Sequence, residues 1–387
     1  MTEHYLDNAA TTKPSERCVA VIEKVLKEDW GNPSSLHRKG QEAETYVKAA
    51  RRRIAQILLT KEESIYFTSC ATESSNTAIM GAAMRGRHTG KHILTTKGEH
   101  AATFEVLKKL KEDGFEIEEL ENDASGKILI DDLKKKLRKD TVLVTVIHVN
   151  NETGVIQPIR EMGKIIRSLS PKALFHVDAT QSFAKLPLFP DKWEIDMISA
   201  SAHKINGPKG IGLLYVRRSL QLPSLILGGG QESHFRSGTE NVAYIAGFAE
   251  AADEMWKQHE TITAEMQRLK EMLVSELTEA LDGIHVNGPK VEEAAPHIVN
   301  LRVDGVRSEV LLHALEDDGV YISSGSACAS NKPGEKSRPL AALGLNAQEI
   351  DQSLRVSFGR YNTESDVKAF VAAMKKTVPV LRRFKPV

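Results

Sequence analysis

Ser199–Gly212, SASAHKINGPKGIG, is the stretch from which the rest of the chain can be read. Lys204 follows an apolar, strand-like run containing Ile195, Met197 and Ile198, and Asn206, Gly207 and Pro208 come just after it. A strand delivers a side chain to a fixed place, and Gly, Pro and Ser then turn the chain without filling the space above it. Such a turn presents one amine to a flat, bulky ligand. A solvated loop lysine has the same local sequence, so the flanking elements must decide between the two readings.

Outward from this turn, strand-like and helix-like segments alternate. SIYFTS, HILTT, TVLVTVIHVN, ALFHVD, DMISAS and GIGLLYV read as strands. ATESSNTAIMGAAMRG, AATFEVLKKLKEDG and IREMGKIIRSL read as helices, the second closed by Gly114. Strands alternating with helices indicate a mainly parallel sheet covered on both faces. In such sheets ligands sit beyond the carboxyl ends of the strands. The polar clusters ATES, GEH, NNETG, DATQS and AHK each follow a strand, so five turns are expected on one rim.

Upstream, YLDNAATTKP reads as an extended segment ending in turn residues, and Ser15 as the cap of a helix to about Glu28. GNPSSLHRKG reads as a loop, and a helix is expected from about Gln41 to Leu59. That helix carries Lys48, Arg51, Arg52 and Arg53. No aromatic residues interleave them, so they read as a solvated face rather than a nucleic-acid patch. Beyond residue 250, Glu254–Leu281 reads as one long amphipathic helix, with Ile262, Met266, Leu269, Leu273, Leu277 and Leu281 at helical spacing. HIVNLRV, VYISSGS and LRVSFG then read as strands, and SEVLLHALEDDG and ESDVKAFVAAMKKTV as helices. The expected fold is α/β: a large domain, 15–255, with a mainly parallel sheet flanked by helices, plus a smaller α+β domain from 1–14 and 256–387.

Composition narrows the function classes. Lys plus Arg and Asp plus Glu each number 52 in 387 residues, which argues against a duty dominated by nucleic acid or an anionic membrane. The three cysteines, Cys18, Cys70 and Cys328, lie far apart. They offer no disulfide framework and no metal spacing, and they suit a reducing compartment. No apolar run approaches the roughly 18 residues of a spanning helix, and the polar N-terminus is no signal peptide. A cytoplasmic protein without metal is expected.

The rim clusters carry the chemistry. Asp178 ends an apolar strand 26 residues before Lys204. Pyridoxal phosphate needs a lysine for its Schiff base and an acid beside its pyridine nitrogen, so that the ring acts as an electron sink. Gln181, one turn later, reaches for the ring hydroxyl. The amides of Ala71 and Thr72 open a helix where an anion is favoured, although an ordinary cap by Ser69 or Thr72 fits the same residues. His100 fits a histidine that stacks on a flat ring or relays protons, although an incidental strand-end histidine has the same local sequence, and His148 reads as structural. Cys328, in the Gly- and Ser-rich SSGSACAS, is expected exposed and reactive; Cys18 and Cys70 fit buried small hydrophobes better. Arg355, on a strand among apolar neighbours, wants a carboxylate, which an amino-acid substrate supplies.

These residues resemble the cysteine desulfurases, pyridoxal-phosphate enzymes of the class V aminotransferase group of fold type I. The likeness runs nearly end to end, through YLDNAATT, NPSSLHRKG, ATESSN, GEHAA, HVNNETGVIQP, HVDATQS, SASAHKINGPKGIG, GGGQESHFRSGTEN, SSGSAC and LRVSFGR. SSGSAC is similar to the first subgroup of that family. The resemblance implies that Lys204 forms the Schiff base and moves the substrate α-proton, and that His100 stacks on the ring and shuttles protons. It pairs Asp178 with the ring nitrogen and Gln181 with the ring oxygen. Ala71, Thr72, Ser201 and His203 would hold the phosphate, with Thr239 from the other subunit of a homodimer. Asn151 would sit at the cofactor and, with Arg355, bind the substrate carboxylate. Cys328 would take the sulfur of L-cysteine as a persulfide, leave L-alanine, and pass the sulfur to an acceptor protein of iron–sulfur cluster biogenesis or tRNA thiolation. Selenocysteine lyase or aminotransferase activity on the same fold is the alternative. A non-catalytic sulfur carrier predicts loss of Lys204 or Cys328, and both are present. Two departures stand out. Cys70 replaces the glycine common before ATES, so the turn there either needs no positive φ or is shifted. ASNKPGEKSRPL, after Cys328, is more basic than the loop of the housekeeping members, which leaves the acceptor open.

Overall fold

The computed structural model describes residues 2–324 and 337–384. A short strand, β1 (His4–Tyr5), precedes two helices, α1 (Glu16–Lys27) and α2 (Arg38–Leu58). Ser15 caps α1 by accepting a bond from the amide of Cys18, as its position before an apolar periodic run requires. The start of α2 lies three residues before the expected Gln41 because His37 supplies the cap, its ring accepting from the Gly40 amide.

Seven strands form the central sheet: β2 (Ile65–Thr68), β3 (His92–Thr96), β4 (Glu116–Leu120), β5 (Thr141–Ile147), β6 (Leu174–Asp178), β7 (Met197–Ser201) and β8 (Gly212–Val216). They lie in the order β2-β8-β7-β6-β5-β3-β4. Only β8 runs against the others, antiparallel to both β7 and β2. The carboxyl ends of β2, β3, β5, β6 and β7 therefore share one edge, and all five polar clusters emerge there. The interleaved helices are α3 (Ala71–Gly86), α4 (Ala101–Glu112), α5 (Ile130–Lys136) and α6 (Ile159–Leu169). Every residue of β5 is buried, as expected for a strand covered on both faces. Sequence pattern missed β4 and α5. EIEEL is a polar edge strand, and α5 is only seven residues long, so neither carries a strong apolar period.

The expected helix 254–281 is two helices, α7 (Val242–Lys257) and α8 (His259–Ala280), broken at Gln258. The helix α7 packs on α1 and α2 and is buried nearly all round, so it shows no single apolar stripe to read. The remaining elements are β9 (Ile284–Asn287), β10 (Ile298–Val303), α9 (Ser308–Glu316), β11 (Val320–Tyr321), β12 (Ser323–Ser324), α10 (Arg338–Ala342), α11 (Ala347–Asp351), β13 (Ser353–Ser357) and α12 (Glu364–Leu381). Strands β12, β13, β10 and β9 form a second, antiparallel sheet in that order. The N-terminal segment contacts this part: β1 pairs with β11, and Asp7 bridges to Ser357 at the end of β13.

Two buried contacts fix the rim. Gly212, at the start of β8, lies so close to the turn opening α3 that a Cβ there would stand 2.4 Å from the carbonyl carbon of Cys70. Glu99, 4% exposed, accepts bonds from Thr96 Oγ1 (2.7 Å) and the Ile147 amide (2.8 Å), joining the turn after β3 to β5. Burial pushes its carboxyl up to about 8.

Two outcomes are expected. Gly212→Ala overpacks this contact, which costs about 1–3 kcal/mol; a thermal melt should show the midpoint lowered by several degrees, and a wild-type midpoint would contradict the packing described. Glu99 is neutral in the folded chain up to about pH 8 but ionises near 4.5 when unfolded, so its contribution to stability is fullest at low pH and is lost as pH rises through 8. Glu99→Gln should therefore gain on the wild type in melts taken from about pH 5 to about pH 9. A gap between the two proteins that stays constant with pH would refute the assignment.

Candidate active site

The turn after β7 sets Lys204 at the rim. Its ammonium donates to the carbonyls of Ala9 (2.6 Å) and Ala10 (2.7 Å) in the N-terminal segment. The same Ala9 carbonyl accepts from Gln181 Nε2 (2.9 Å), while Gln181 Oε1 is buried with no donor among the described residues. His203, beside Lys204, meets Thr11 Oγ1 through Nδ1 at 3.2 Å. Burial pushes this imidazole down to about 4, helped by Lys204, Lys209 and Lys185, so it is neutral at physiological pH. Ser201, at the end of β7, is buried and reaches the Ile211 carbonyl at 3.4 Å.

Asp178 ends β6 and is 3% exposed. Its Oδ1 accepts from the amide (2.9 Å) and hydroxyl (2.5 Å) of Thr180, which fixes the carboxylate's orientation. His100 caps α4, its Nδ1 accepting from the Ala102 amide at 3.1 Å. That leaves Nε2 as the nitrogen available for proton exchange. Burial lowers the His100 pKa; Asp178 opposes the shift and Lys204 adds to it.

The amino end of α3 has no side-chain cap. Its N-cap residue is Cys70, with φ −173° and ψ 170°, an extended backbone that any residue adopts. The turn thus needs no positive φ, and a cysteine fits it. Cys70 is half-buried at the rim, not buried as expected, because it caps a helix rather than filling a core; Cys18 is fully buried in α1, its thiol pushed up to about 12. The uncapped amides of Ala71 and Thr72 are donors for an anion. Thr239 is exposed and lines a cavity of about 190 Å³ with Ser69, Gly210 and Arg236; Arg236 in turn pairs with Glu73 of the α3 first turn at 2.9 Å.

Arg355 comes from β13 of the second sheet, next to Ser323 of β12. The sequence reading has it awaiting a substrate carboxylate, but the chain supplies one: Nη2 donates to Asp7 Oδ1 at 2.7 Å. Nη1 donates to the backbone carbonyl of Asn151 at 2.9 Å, and Nε is buried without a partner among the described residues. Asn151 is buried in the turn after β5, which Asn150 shapes by accepting from the amides of Glu152 and Thr153. Cys328 lies outside the described residues. The flanking residues are described: β12 ends at Ser324 beside β13, and Ser337 donates to Glu152 Oε2 of the turn after β5 at 2.5 Å.

Sequence reading missed the Ala9 and Ala10 carbonyls, because main-chain acceptors carry no side-chain signal, and Asp7, because its partner Arg355 lies 348 positions away. His148 is buried against Ser182, as read. The basic run of α2 is fully engaged: Lys48 with Glu44, Arg51 bidentate with Glu232, Arg52 with Glu62 and Arg53 with Glu250. Among the described residues no group of three or more His, Cys, Asp or Glu side chains could hold a metal, and no helix is long and apolar enough to cross a membrane.

The rim fits pyridoxal phosphate. A buried amide oxygen, Gln181 Oε1, lacks a donor that a ring hydroxyl supplies; the α3 amides await an anion; a buried carboxylate and a lysine amine stand at neighbouring strand ends.

Comparison with known proteins agrees. The aminotransferase class-V family model matches residues 4–370. A NifS/IcsS protein homolog of Lactobacillus delbrueckii subsp. bulgaricus is 41% identical over 95% of this chain and 95% of its own length. The cysteine desulfurase IscS of Dictyoglomus turgidum is 39% identical over 99% of this chain and 96% of its own. A solved NifS-like protein superposes with a TM-score of 0.92 at 33% identity, covering 98% of this chain and all of that one. With this fold and this rim, the chain belongs to the class-V aminotransferases and, within them, to the pyridoxal-phosphate-dependent cysteine desulfurase family.

Proposed function

We propose that this rim converts L-cysteine to L-alanine and passes the sulfur to Cys328. The observation that carries the reading is the meeting of Lys204, Asp178 and His100 at one sheet edge with Arg355 from the second sheet. Pyridoxal phosphate bound there supplies an electron sink that weakens bonds at the substrate α- and β-carbons. Lys204 and His203 flank its site after β7, with Ser201, Ala71, Thr72 and a second subunit's Thr239 as phosphate donors. Asp178 would pair with the pyridine nitrogen, and Gln181 and Asn151 would bind the ring's polar groups. Arg355 and Asn151 bind the substrate carboxylate. Lys204 moves the α-proton, and His100, neutral because it is buried, exchanges a proton through Nε2.

Cys328 attacks the substrate sulfur as a thiolate. The carbon–sulfur bond breaks, a sulfur–sulfur bond forms, and the β-carbon takes a proton. The products are L-alanine and an enzyme persulfide, with atoms and electrons in balance. We also propose the division into a large domain, 15–255, and a small one, 1–14 with 256–387, the latter bringing Arg355 and Cys328 to the lysine. A homodimer, a cytoplasmic setting, and an acceptor protein of iron–sulfur cluster assembly or tRNA thiolation complete the proposal. The sparse cysteines support a reducing compartment.

The test uses two variants of the purified holoenzyme. Lys204→Ala should lose the visible absorbance of the lysine-linked cofactor; unchanged colour would mean another amine holds it. Cys328→Ser should keep the absorbance yet reduce cysteine-dependent sulfide release to background. Release at the wild-type rate would assign the nucleophile to a different thiol.

A further inference from the structure

The contact between Asp7 and Arg355 is not part of the reaction just described. Arg355 has a side chain only 6% exposed. One amine is taken by the Asn151 carbonyl and the other by Asp7, and Nε has no partner among the described residues. The backbone of Asp7 is bridged to Ser357, on the strand that carries Arg355. Two residues on, Ala9 accepts from Lys204 and Gln181. The segment that carries Asp7 is thus tied at one side to the arginine's own strand and at the other, through the Ala9 carbonyl, to the lysine. Tyr5 adds a third restraint, its phenol donating to the Thr11 carbonyl at 3.0 Å and so closing the segment into a turn.

We propose that Asp7 is a positioning residue that stands in for the substrate carboxylate on Arg355 and so sets the affinity for amino-acid carboxylates. A buried guanidinium is held in place only when paired, and Asp7 pairs it before substrate arrives. The donor left over is Nε, which with Nη2 forms the side-on edge that takes a carboxylate through two parallel bonds. An incoming carboxylate at that edge shares Nη2 with Asp7. Two anions on one guanidinium repel, so Asp7 weakens ground-state binding of the carboxylate while keeping Arg355 aimed at it. Thiols and amines that lack a carboxylate escape this repulsion.

The inference rests on the reading that Arg355 binds the substrate carboxylate, and the experiment separates the two. Holoenzyme is compared as wild type, Asp7→Asn, Asp7→Glu, Arg355→Gln and the Asp7→Asn/Arg355→Gln double variant. The ligands are L-cysteine, 3-mercaptopropionate, which keeps the carboxylate without the amine, and cysteamine, which keeps the amine without the carboxylate. In Asp7→Asn the KM for L-cysteine and the inhibition constant of 3-mercaptopropionate should fall roughly three- to tenfold, with cysteamine binding unchanged. Asp7→Glu, which retains the charge, should keep the wild-type constants, and the gain from Asp7→Asn should vanish in the double variant. If Asp7→Asn fails to fold, Asp7→Glu decides: a KM several-fold above wild type in a folded Glu variant marks a purely structural role and overturns the proposal. Carboxylate ligands binding Asp7→Asn no tighter than wild type, or cysteamine changing equally, also overturns it. Should Arg355→Gln leave the KM for L-cysteine unaltered, the arginine assignment itself fails.

Discussion

Two main-chain carbonyls, those of Ala9 and Ala10, hold the Lys204 ammonium at the sheet edge. Charge-assisted bonds to carbonyls are directional, so this pair fixes where the amine stands. The carbonyls can do so only because the 7–12 segment is itself pinned. Asp7 is bridged to β13, the Thr12 amide and hydroxyl bond the His203 carbonyl, and Thr12 Oγ1 accepts from the Asn206 amide. Twelve residues at the start of the chain thereby join the second sheet to the turn after β7. Buried polar groups tolerate few unsatisfied partners, so the arrangement locks as a unit.

Burial then sorts the charges at the rim. His203 and His100 are kept neutral, chiefly by desolvation, and the Glu99 acid is kept protonated. Lys185, whose amine reaches the Gln181 carbonyl at 3.3 Å, is pushed down to about 7 by burial and by Lys204. A site that holds an anionic cofactor is served by neutral imidazoles beside the Asp178 carboxylate and the Asp7–Arg355 pair. The field is completed by the dipole of α3, whose N-cap residue, Cys70, makes no side-chain cap bond.

Much of this is legible in the sequence because strand ends are legible. Apolar runs such as TVLVTVI mark buried parallel strands, and the polar residues after each run must sit on one edge, so the sequence alone assigns Lys204, Asp178 and His100 to one rim. Residues that act through position within a long-range contact are less legible. The Asp7–Arg355 pair joins residues 348 positions apart, and no local period announces it. Gln258 breaks a helix without glycine or proline, and α7, buried on nearly every side, hides its boundaries from a periodicity argument. Cys70 misleads because a capping position and a core position look alike when the residue is small and apolar.

In the proposed division of labour, Lys204 and its neighbours activate the substrate and Cys328 receives the sulfur. A single turnover of the holoenzyme with limiting L-cysteine tests it most directly, with alanine quantified and the peptide containing Cys328 weighed by mass spectrometry. One alanine per cysteine consumed and a Cys328 peptide heavier by one sulfur atom are expected. Pyruvate in place of alanine, or an unmodified Cys328 peptide with the sulfur found on Cys70, would contradict it.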